Sequence, residues 1–226
     1  MPEIQGTTFE GPSLSSRVLI RALDLLLALV ALVLLAPVML LTALVVLVTM
    51  GNPIFFRQLR AGRHNRPFHI IKFRSMREGV DSHGNVLPDH QRLTTFGRFL
   101  RKSSLDELPQ LMNVLSGQMS LVGPRPLFLE YFDYYSERER HRLDVRPGIT
   151  GLAQVSGRNF AGWNRKLEMD ALYVEQFGIG LYVKVLLLTI FNVFDWRQVS
   201  ADPYAAEQAL NVERAETRRQ DSGAND

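Results

Sequence analysis

The sequence has no cysteine and little net charge, and both features narrow the classes of protein to which it can belong. Without cysteine there is no disulfide framework, no thiolate zinc site and no cysteine nucleophile. The 226 residues include 26 Lys and Arg against 23 Asp and Glu, which leaves a net charge of +3. A charge this small does not indicate a nucleic-acid-binding protein, so we expect no nucleic-acid partner.

Several common catalytic motifs are also missing. The sequence contains no G-x-x-x-x-G-K-[ST] phosphate loop and no G-x-G-x-x-G dinucleotide fingerprint. It also contains no G-x-S-x-G nucleophile elbow and no H-E-x-x-H zinc motif. The five histidines show no metal-ligand spacing. The common nucleotide-loop, hydrolase and zinc-protease classes are therefore excluded.

The sequence does have one long apolar stretch. From Leu25 to Val48 there are 24 residues without a charge, and Thr42 is the one polar side chain among them. About 20 apolar residues are enough to span the hydrocarbon core of a bilayer. The stretch exceeds the apolar region of a secretory signal peptide and has no small-residue cleavage site after it. It therefore predicts a membrane-inserted helix.

Pro37 interrupts this stretch near its middle. Proline removes a backbone hydrogen bond and clashes with the preceding turn, so we expect a kink or a break there. Two topologies stay open, a kinked span and a re-entrant helix that returns to the same face. Positive residues mark the cytoplasmic side of a membrane protein, and here they flank both ends, which favours the re-entrant helix. They also attract anionic lipid headgroups. The flanking residues are Arg17, Arg21, Arg57, Arg60, Arg63, Arg66, Lys72, Arg74 and Arg77.

The remaining sequence predicts a mostly helical α+β fold with a small β-hairpin and surface amphipathic helices. The β-prone runs Pro53–Leu59 and Pro67–Phe73 form the predicted hairpin. Leu181–Phe194 is too short to span a bilayer and is either a core helix or a helix lying on the membrane surface. Shorter helices are predicted near Leu93–Leu100, Leu105–Leu115, Phe128–Tyr135 and Trp163–Phe177.

The predicted domain organisation has four parts. Residues 1–16 form a flexible N-terminus, and residues 17–50 form the membrane-inserted re-entrant helix. Residues 51–200 form a cytoplasmic catalytic domain. Residues 201–226 form a polar C-terminal tail, which we expect to fray because it is charged and poor in aromatic residues.

An acidic pair, Asp106-Glu107, is the strongest candidate for chemistry. One interpretation is structural, because Ser104 with Glu107 three residues later matches a helix capping box. The other is functional, because an ionised Asp106 near a helix N-terminus is a nucleophile toward phosphorus and an oxygen ligand for Mg²⁺. Arg and Lys bind phosphate, and together with the membrane segment they indicate a pyrophosphate substrate. The candidate cations are Lys72, Arg74, Arg101 and Arg125.

Four stretches carry a resemblance to a known family. In chain order they are Lys72–Met76, Ser104–Leu111, Ser120–Pro126 and Arg146–Asn159. Over roughly Ser16–Val193 the chain resembles the monotopic phosphoglycosyl transferases, also called bacterial sugar transferases. It is similar to their small form, which has one membrane segment and one catalytic domain.

The resemblance implies a reaction. A UDP-sugar donates a sugar 1-phosphate to undecaprenyl phosphate, giving undecaprenyl-diphospho-sugar and UMP, the first membrane step of glycan assembly. Asp106 would attack the β-phosphate and form a phosphosugar-aspartate intermediate, and Glu107 would act as an acid/base or orienting group. Mg²⁺ would bind Asp106 and the diphosphate. Phosphate or substrate binding is implied for Lys72, Arg74, Arg101, Arg125, Arg146, Arg158 and Asp170.

The resemblance also implies a location. The family places its catalytic domain on the cytoplasmic face of the bacterial inner membrane, in contact with anionic lipid, and a homo-oligomer is compatible with it. The re-entrant helix would break at Ala36-Pro37, where the family has Ser-Pro. Tyr182 is a second departure, because close relatives carry Asp there. The sequence does not identify the sugar.

Two other classes of function remain as alternatives. A non-catalytic membrane adaptor would use the basic residues to bind anionic lipid and the acidic pair to cap a helix. A membrane-bound phosphatase or nucleotidase would release free sugar phosphate without a polyprenyl acceptor. Release of UMP from UDP-sugars, tested with and without the acceptor, distinguishes the three.

Overall fold

The computed structural model describes residues 13–79, 81, 83–156, 162–194 and 209–223. Its α-helices are α1 (Leu14–Met50), α2 (Asp89–Arg92), α3 (Thr95–Ser103), α4 (Gln110–Leu115), α5 (Glu137–Arg140), α6 (Leu152–Val155), α7 (Trp163–Glu175), α8 (Ile179–Phe194) and α9 (Leu210–Gly223). Its strands are β1 (Phe55–Ala61), β2 (Pro67–Phe73), β3 (Ser120–Val122) and β4 (Gly148–Thr150). Turns of 3₁₀-helix cover Arg63–Asn65, Leu105–Glu107, Leu129–Tyr134 and His141–Leu143. The predicted mostly helical fold with a small hairpin is confirmed.

Helix α1 is the long apolar element. In the described part of the chain it is the one helix whose length and composition would let it cross a membrane, and only 11% of its most apolar window is buried. A core helix of a soluble protein would be mostly covered. One stripe packs on the domain, formed by Ile20, Asp24, Ala28, Thr42 and Val46.

Pro37 lies inside α1, and the element is helical on both sides of it. The re-entrant path and the break at Ala36-Pro37 therefore stay predictions. Both ends of the helix nevertheless contact the same domain. Ile20 packs with Val122 and Tyr182, whereas Val46 packs with Phe73 and Leu100.

The hairpin β1–β2 is antiparallel, and its register pairs Phe56 with Lys72. Helix α4 holds the hairpin through the buried side chain of Asn113. The amide nitrogen of Asn113 donates to the His69 carbonyl (2.8 Å), and its oxygen accepts from the Ile71 N–H (3.1 Å). These bonds fix the segment preceding α4 next to the strand that carries Lys72.

The short parallel pair β3–β4 brings two of the family-like stretches together. Gly123 lies so close to the Arg146 carbonyl that a Cβ at this position would overlap it. A Cβ on Gly148 or Gly151 would overlap the backbone of Gly123 in the same way. These glycines are therefore required by backbone-to-backbone contact, and they place Arg125 just beyond the pair.

Several predicted elements differ from the observed ones. The predicted helix Leu105–Leu115 is divided into a separate 3₁₀ turn, Leu105–Glu107, and helix α4, whose N-cap residue is Pro109. The aromatic segment Leu129–Tyr134 is 3₁₀ rather than α-helical. In the described part of the tail, α9 buries Leu210 in a core with Trp163, so this part does not fray as predicted. Helix α8 is partly core and partly exposed, since Tyr182 and Val185 are buried while Phe191 is exposed.

Candidate active site

Asp106 and Glu107 lie in a tight connection between α3 and α4. Ser104 ends α3 in the left-handed conformation, with φ of 58° and ψ of 14°, and the chain then forms the 3₁₀ turn Leu105–Glu107. The Ser104 side chain makes no capping hydrogen bond. The capping-box interpretation is therefore wrong, because Ser104 makes no side-chain capping bond and the Glu107 carboxylate binds Lys72 and Arg125 instead.

Glu107 is held by two cations that come from different parts of the chain. Its Oε1 accepts hydrogen bonds from Lys72 Nζ at 2.6 Å and from an Arg125 guanidinium nitrogen at 3.0 Å. Burial opposes ionisation of this carboxyl group, but Arg125 and Lys72 outweigh it and lower the pKa of Glu107 to about 2. Glu107 therefore stays ionised and orients the two cations, and it is a poor proton acceptor near neutral pH.

Asp106 is buried, with 7% of its surface exposed, yet no hydrogen bond reaches its carboxyl group from any residue that the structure describes. Burial raises the pKa of Asp106 to about 6, and Glu107 adds to the rise. Lys72, Arg101 and Arg125 oppose it electrostatically. A buried carboxyl group that accepts no hydrogen bond from the described residues and has three cations acting on it is typical of a functional site. The cations are of the kind that binds phosphate.

Arg101 reaches this cluster because α3 packs unusually close to the end of the hairpin. A Cβ on Gly97 would overlap the Ser75 carbonyl, so glycine allows the close contact. Arg101 Nε then donates to Ser75 Oγ at 2.9 Å. Lys72–Met76 and the acidic pair are thereby brought together in space.

The backbone of Arg125 is held by Arg142, a residue that the sequence analysis did not identify. Arg142 donates to the Arg125 carbonyl oxygen at 2.6 Å and to the Tyr135 hydroxyl at 3.2 Å. It also pairs with Asp170 at 2.9 Å in an almost fully buried contact. Arg142 was missed because a single arginine among charged residues carries no signal in sequence.

The remaining predicted residues have other positions. Asp170 lies behind Arg125, bound to Arg142, and so would act through that residue instead of touching substrate. Arg74 donates to the Met50, Gly51 and Asn52 carbonyls, so its guanidinium closes the C-terminal end of α1 instead of facing the acidic pair. Arg146 donates to the Gly117 carbonyl at 2.9 Å, away from Asp106. Arg158 lies outside the described residues.

Comparison with known proteins shows that the chain is similar to a family of enzymes. The family model described as bacterial sugar transferase matches residues 15–196. The uncharacterized sugar transferase EpsL of Bacillus subtilis is 48% identical over 78% of this chain and 87% of that protein. A Xanthomonas campestris UDP-glucose:undecaprenyl-phosphate glucose-1-phosphate transferase is 41% identical over 75% of this chain. An Aeromonas hydrophila UDP-N-acetylgalactosamine-undecaprenyl-phosphate N-acetylgalactosaminephosphotransferase is 39% identical over 76% of this chain.

The chain matches only part of the length of these two transferases. This chain spans 37% of the length of the Xanthomonas protein and 43% of that of the Aeromonas protein. The matched region holds the acidic pair and the three cations that face it. The family named from the sequence and the prediction of a transferase are therefore confirmed, and the chain belongs to the bacterial sugar transferase family.

Proposed function

We propose that this protein transfers a sugar 1-phosphate from a UDP-sugar to undecaprenyl phosphate, giving undecaprenyl-diphospho-sugar and UMP. The observation that carries the proposal is the Asp106 carboxyl group, buried and without a hydrogen bond among the described residues, opposite Lys72, Arg101 and Arg125. The names of the Xanthomonas and Aeromonas relatives support the two substrates.

The reaction proceeds in two displacements at one phosphorus atom. An Asp106 carboxylate oxygen attacks the β-phosphorus, and the bond from that phosphorus to the bridging oxygen breaks, so UMP leaves with the bridging oxygen. A phosphate oxygen of undecaprenyl phosphate then attacks the same phosphorus and displaces the Asp106 carboxylate. Lys72, Arg101 and Arg125 stabilise the charge on the phosphoryl oxygens. Glu107 keeps Lys72 and Arg125 in place.

The proposal includes Mg²⁺. Within the described residues no group of three or more His, Cys, Asp or Glu side chains is placed to hold a metal ion by itself. Glu107 is occupied by its cations, so Asp106 is the carboxylate in this cluster with oxygens left for a metal. This donor set fits Mg²⁺, which binds through one or two carboxylates together with substrate phosphates. When bound, the ion would neutralise charge on the diphosphate.

We further propose that α1 is re-entrant and that the domain lies on the cytoplasmic face of the bacterial inner membrane. The contacts of Ile20 and Val46 with the same domain support this, because a straight crossing would carry one end of α1 away from it. Both Ser15 and Gly51 should then be cytoplasmic. The chain has no native cysteine, so single cysteines at these two positions report directly on topology. A periplasmic residue 15 would establish a span.

The nucleophile is tested with the variant Asp106→Asn. We expect intact mass spectrometry of the wild-type protein, incubated with Mg²⁺ and donor alone, to show a sugar-phosphate increment that maps to Asp106. Asp106→Asn should show neither the increment nor UMP release, while it still fractionates with the membrane. Asp89→Asn is the matched control, because Asp89 is an exposed acid paired with Arg92. It should keep full activity.

Other outcomes would favour other functions. An adaptor would release no UMP from any UDP-sugar. A phosphatase or nucleotidase would release free sugar phosphate without acceptor. UMP release by Asp106→Asn near the wild-type rate would exclude Asp106 as nucleophile, and an absent increment under trapping conditions would favour direct displacement. A panel of UDP-sugars identifies the donor, since the two relatives named above use different sugars.

A further inference from the structure

A second group of cations lies apart from the acidic pair. We call it the arginine cluster, and it consists of Arg17, Arg21, Arg63 and Arg146. Arg63 interacts electrostatically with Arg17 and Arg146, and Arg146 interacts with Arg21. Burial and these neighbouring charges lower the pKa of both Arg63 and Arg146. The largest charge effects on Asp106 come from Lys72, Glu107, Arg101 and Arg125, none of which belongs to this cluster.

Backbone carbonyl groups hold three of these side chains in place. Arg21 donates to the Val114 carbonyl at 2.7 Å and to the Leu115 carbonyl at 3.1 Å, at the end of α4. Arg63 Nε donates to the Asp144 carbonyl at 3.0 Å. Arg146 Nε is held in the same way by Gly117. Each guanidinium keeps further N–H groups that these bonds do not use.

The cluster lacks a counterion within the described protein. None of its four arginines forms an ion pair with a described carboxylate. Two acids act on it electrostatically, but Asp24 already accepts three hydrogen bonds and Asp144 pairs with His141. Arg17 Nε is buried and has no hydrogen-bond partner. Four neighbouring guanidinium groups that form no ion pair with a described carboxylate are typical of a site for an anion.

The position of the cluster indicates which anion. Arg17 and Arg21 precede the apolar stretch that begins at Leu25 by about 12 and 6 Å along the helix axis. Beside them Val18 and Leu19 expose 62% and 50% of their surface. The cluster thus lies at the boundary between the apolar helix and the polar domain. With α1 inserted in the membrane as proposed above, this boundary is at the level of the lipid phosphate groups.

We propose that the arginine cluster is a binding site for the phosphate group of an anionic phospholipid. Guanidinium groups bind phosphate oxygens in pairs, and an anionic headgroup would supply the missing counterion. The bound lipid holds the N-terminal end of α1 and the end of α4 at the headgroup layer. This site is separate from Asp106, so it stands or fails independently of the transferase reaction.

Native mass spectrometry of the full chain in a non-ionic detergent tests the proposal. Phosphatidylglycerol, phosphatidylcholine with the same acyl chains, or inorganic phosphate is added as probe. The cluster variant is Arg17→Gln with Arg63→Gln, chosen because Arg17 Nε has no hydrogen-bond partner and the Arg63 side chain makes one hydrogen bond, to the Asp144 carbonyl. The control variant is Arg138→Gln with Arg165→Gln, which removes equal charge from exposed arginines already paired with Glu175 and Glu168.

We expect wild-type protein and the control variant to retain phosphatidylglycerol and the cluster variant to bind it roughly tenfold or more weakly. Phosphatidylcholine should bind weakly to all three. Arg17→Gln alone should show part of the loss, which keeps the test valid if the double variant does not fold. Equal retention by the cluster and control variants would overturn the proposal. So would equal binding of phosphatidylcholine, or displacement of the lipid by inorganic phosphate.

Discussion

We predict that removing one partner of the buried pair Arg142–Asp170 lowers protein stability much more than expected from the effect of removing both charges together. The two side chains expose 2% and 1% of their surface, and their ion-pair distance is 2.9 Å. Asp170→Asn leaves a buried guanidinium without its carboxylate, and Arg142→Met leaves a buried carboxylate without its guanidinium. The double variant Arg142→Met with Asp170→Asn removes both charges together.

The burial determines the size of the expected effect. Removing one partner of a buried ion pair lowers the free energy of unfolding by about 3–5 kcal/mol, much more than at an exposed pair. In a protein of this size that corresponds to a fall in the melting temperature of about 10 °C. The double variant should lose clearly less unfolding free energy than the two single variants lose in sum. In the double variant both charges are removed, so no unpaired charge stays buried.

The assay combines thermal unfolding in detergent with transferase kinetics of the folded protein. Because Arg142 donates to the Arg125 carbonyl, both variants that lack Arg142 should lose roughly ten- to a hundredfold in kcat, even below their melting temperature. Additive losses of stability in the double variant would refute the argument from burial. Unchanged kcat in folded Arg142→Met would refute the positioning of Arg125 by Arg142.

Two further predictions concern other contacts. Gly123→Ala should unfold at a clearly lower temperature than the wild-type protein, because its Cβ would overlap the Arg146 carbonyl. Gly180→Ala is the control and should keep the wild-type melting temperature, because the space around Gly180 is open. Equal melting temperatures of the two variants would contradict this. Arg214 and neighbouring hydrogen bonds overcome burial and lower the pKa of Glu139, so this carboxylate stabilises the fold above its ordinary pKa of 4.5. Compared with Glu139→Gln, the wild-type protein should lose its advantage in unfolding free energy as pH falls below about 4.5, and an advantage that grows with falling pH would contradict the assignment.

Local pattern was enough to predict a large part of the fold. The hairpin runs Pro53–Leu59 and Pro67–Phe73 and the helix Trp163–Phe177 correspond closely to β1, β2 and α7. Periodicity and turn residues act over a few positions, so they carry this information in the sequence itself. Pro109 is an instructive difference. Proline is best tolerated in the first turn of a helix, but this local preference does not predict the separate 3₁₀ turn before it, where Glu107 binds Lys72 and Arg125.

The site was predictable as a set of residue types and not as an arrangement. Asp106, Glu107, Lys72, Arg101 and Arg125 were identified because acids and cations suit phosphate chemistry. The sequence could not separate Arg74 from Lys72, two positions away. The Arg74 side chain binds carbonyl groups at the end of α1, whereas the Lys72 side chain binds Glu107.

The sequence alone determined that the chain has a long apolar segment, a small net charge, and an acidic pair together with candidate cations, because these are properties of composition and spacing. Only the tertiary structure decided which carboxylate has no hydrogen-bond partner among the described residues, which cations act on it, and which residue binds the Arg125 carbonyl. Those outcomes depend on contacts between positions far apart in the chain, such as Lys72 with Glu107 and Arg142 with Asp170, and no local pattern encodes them.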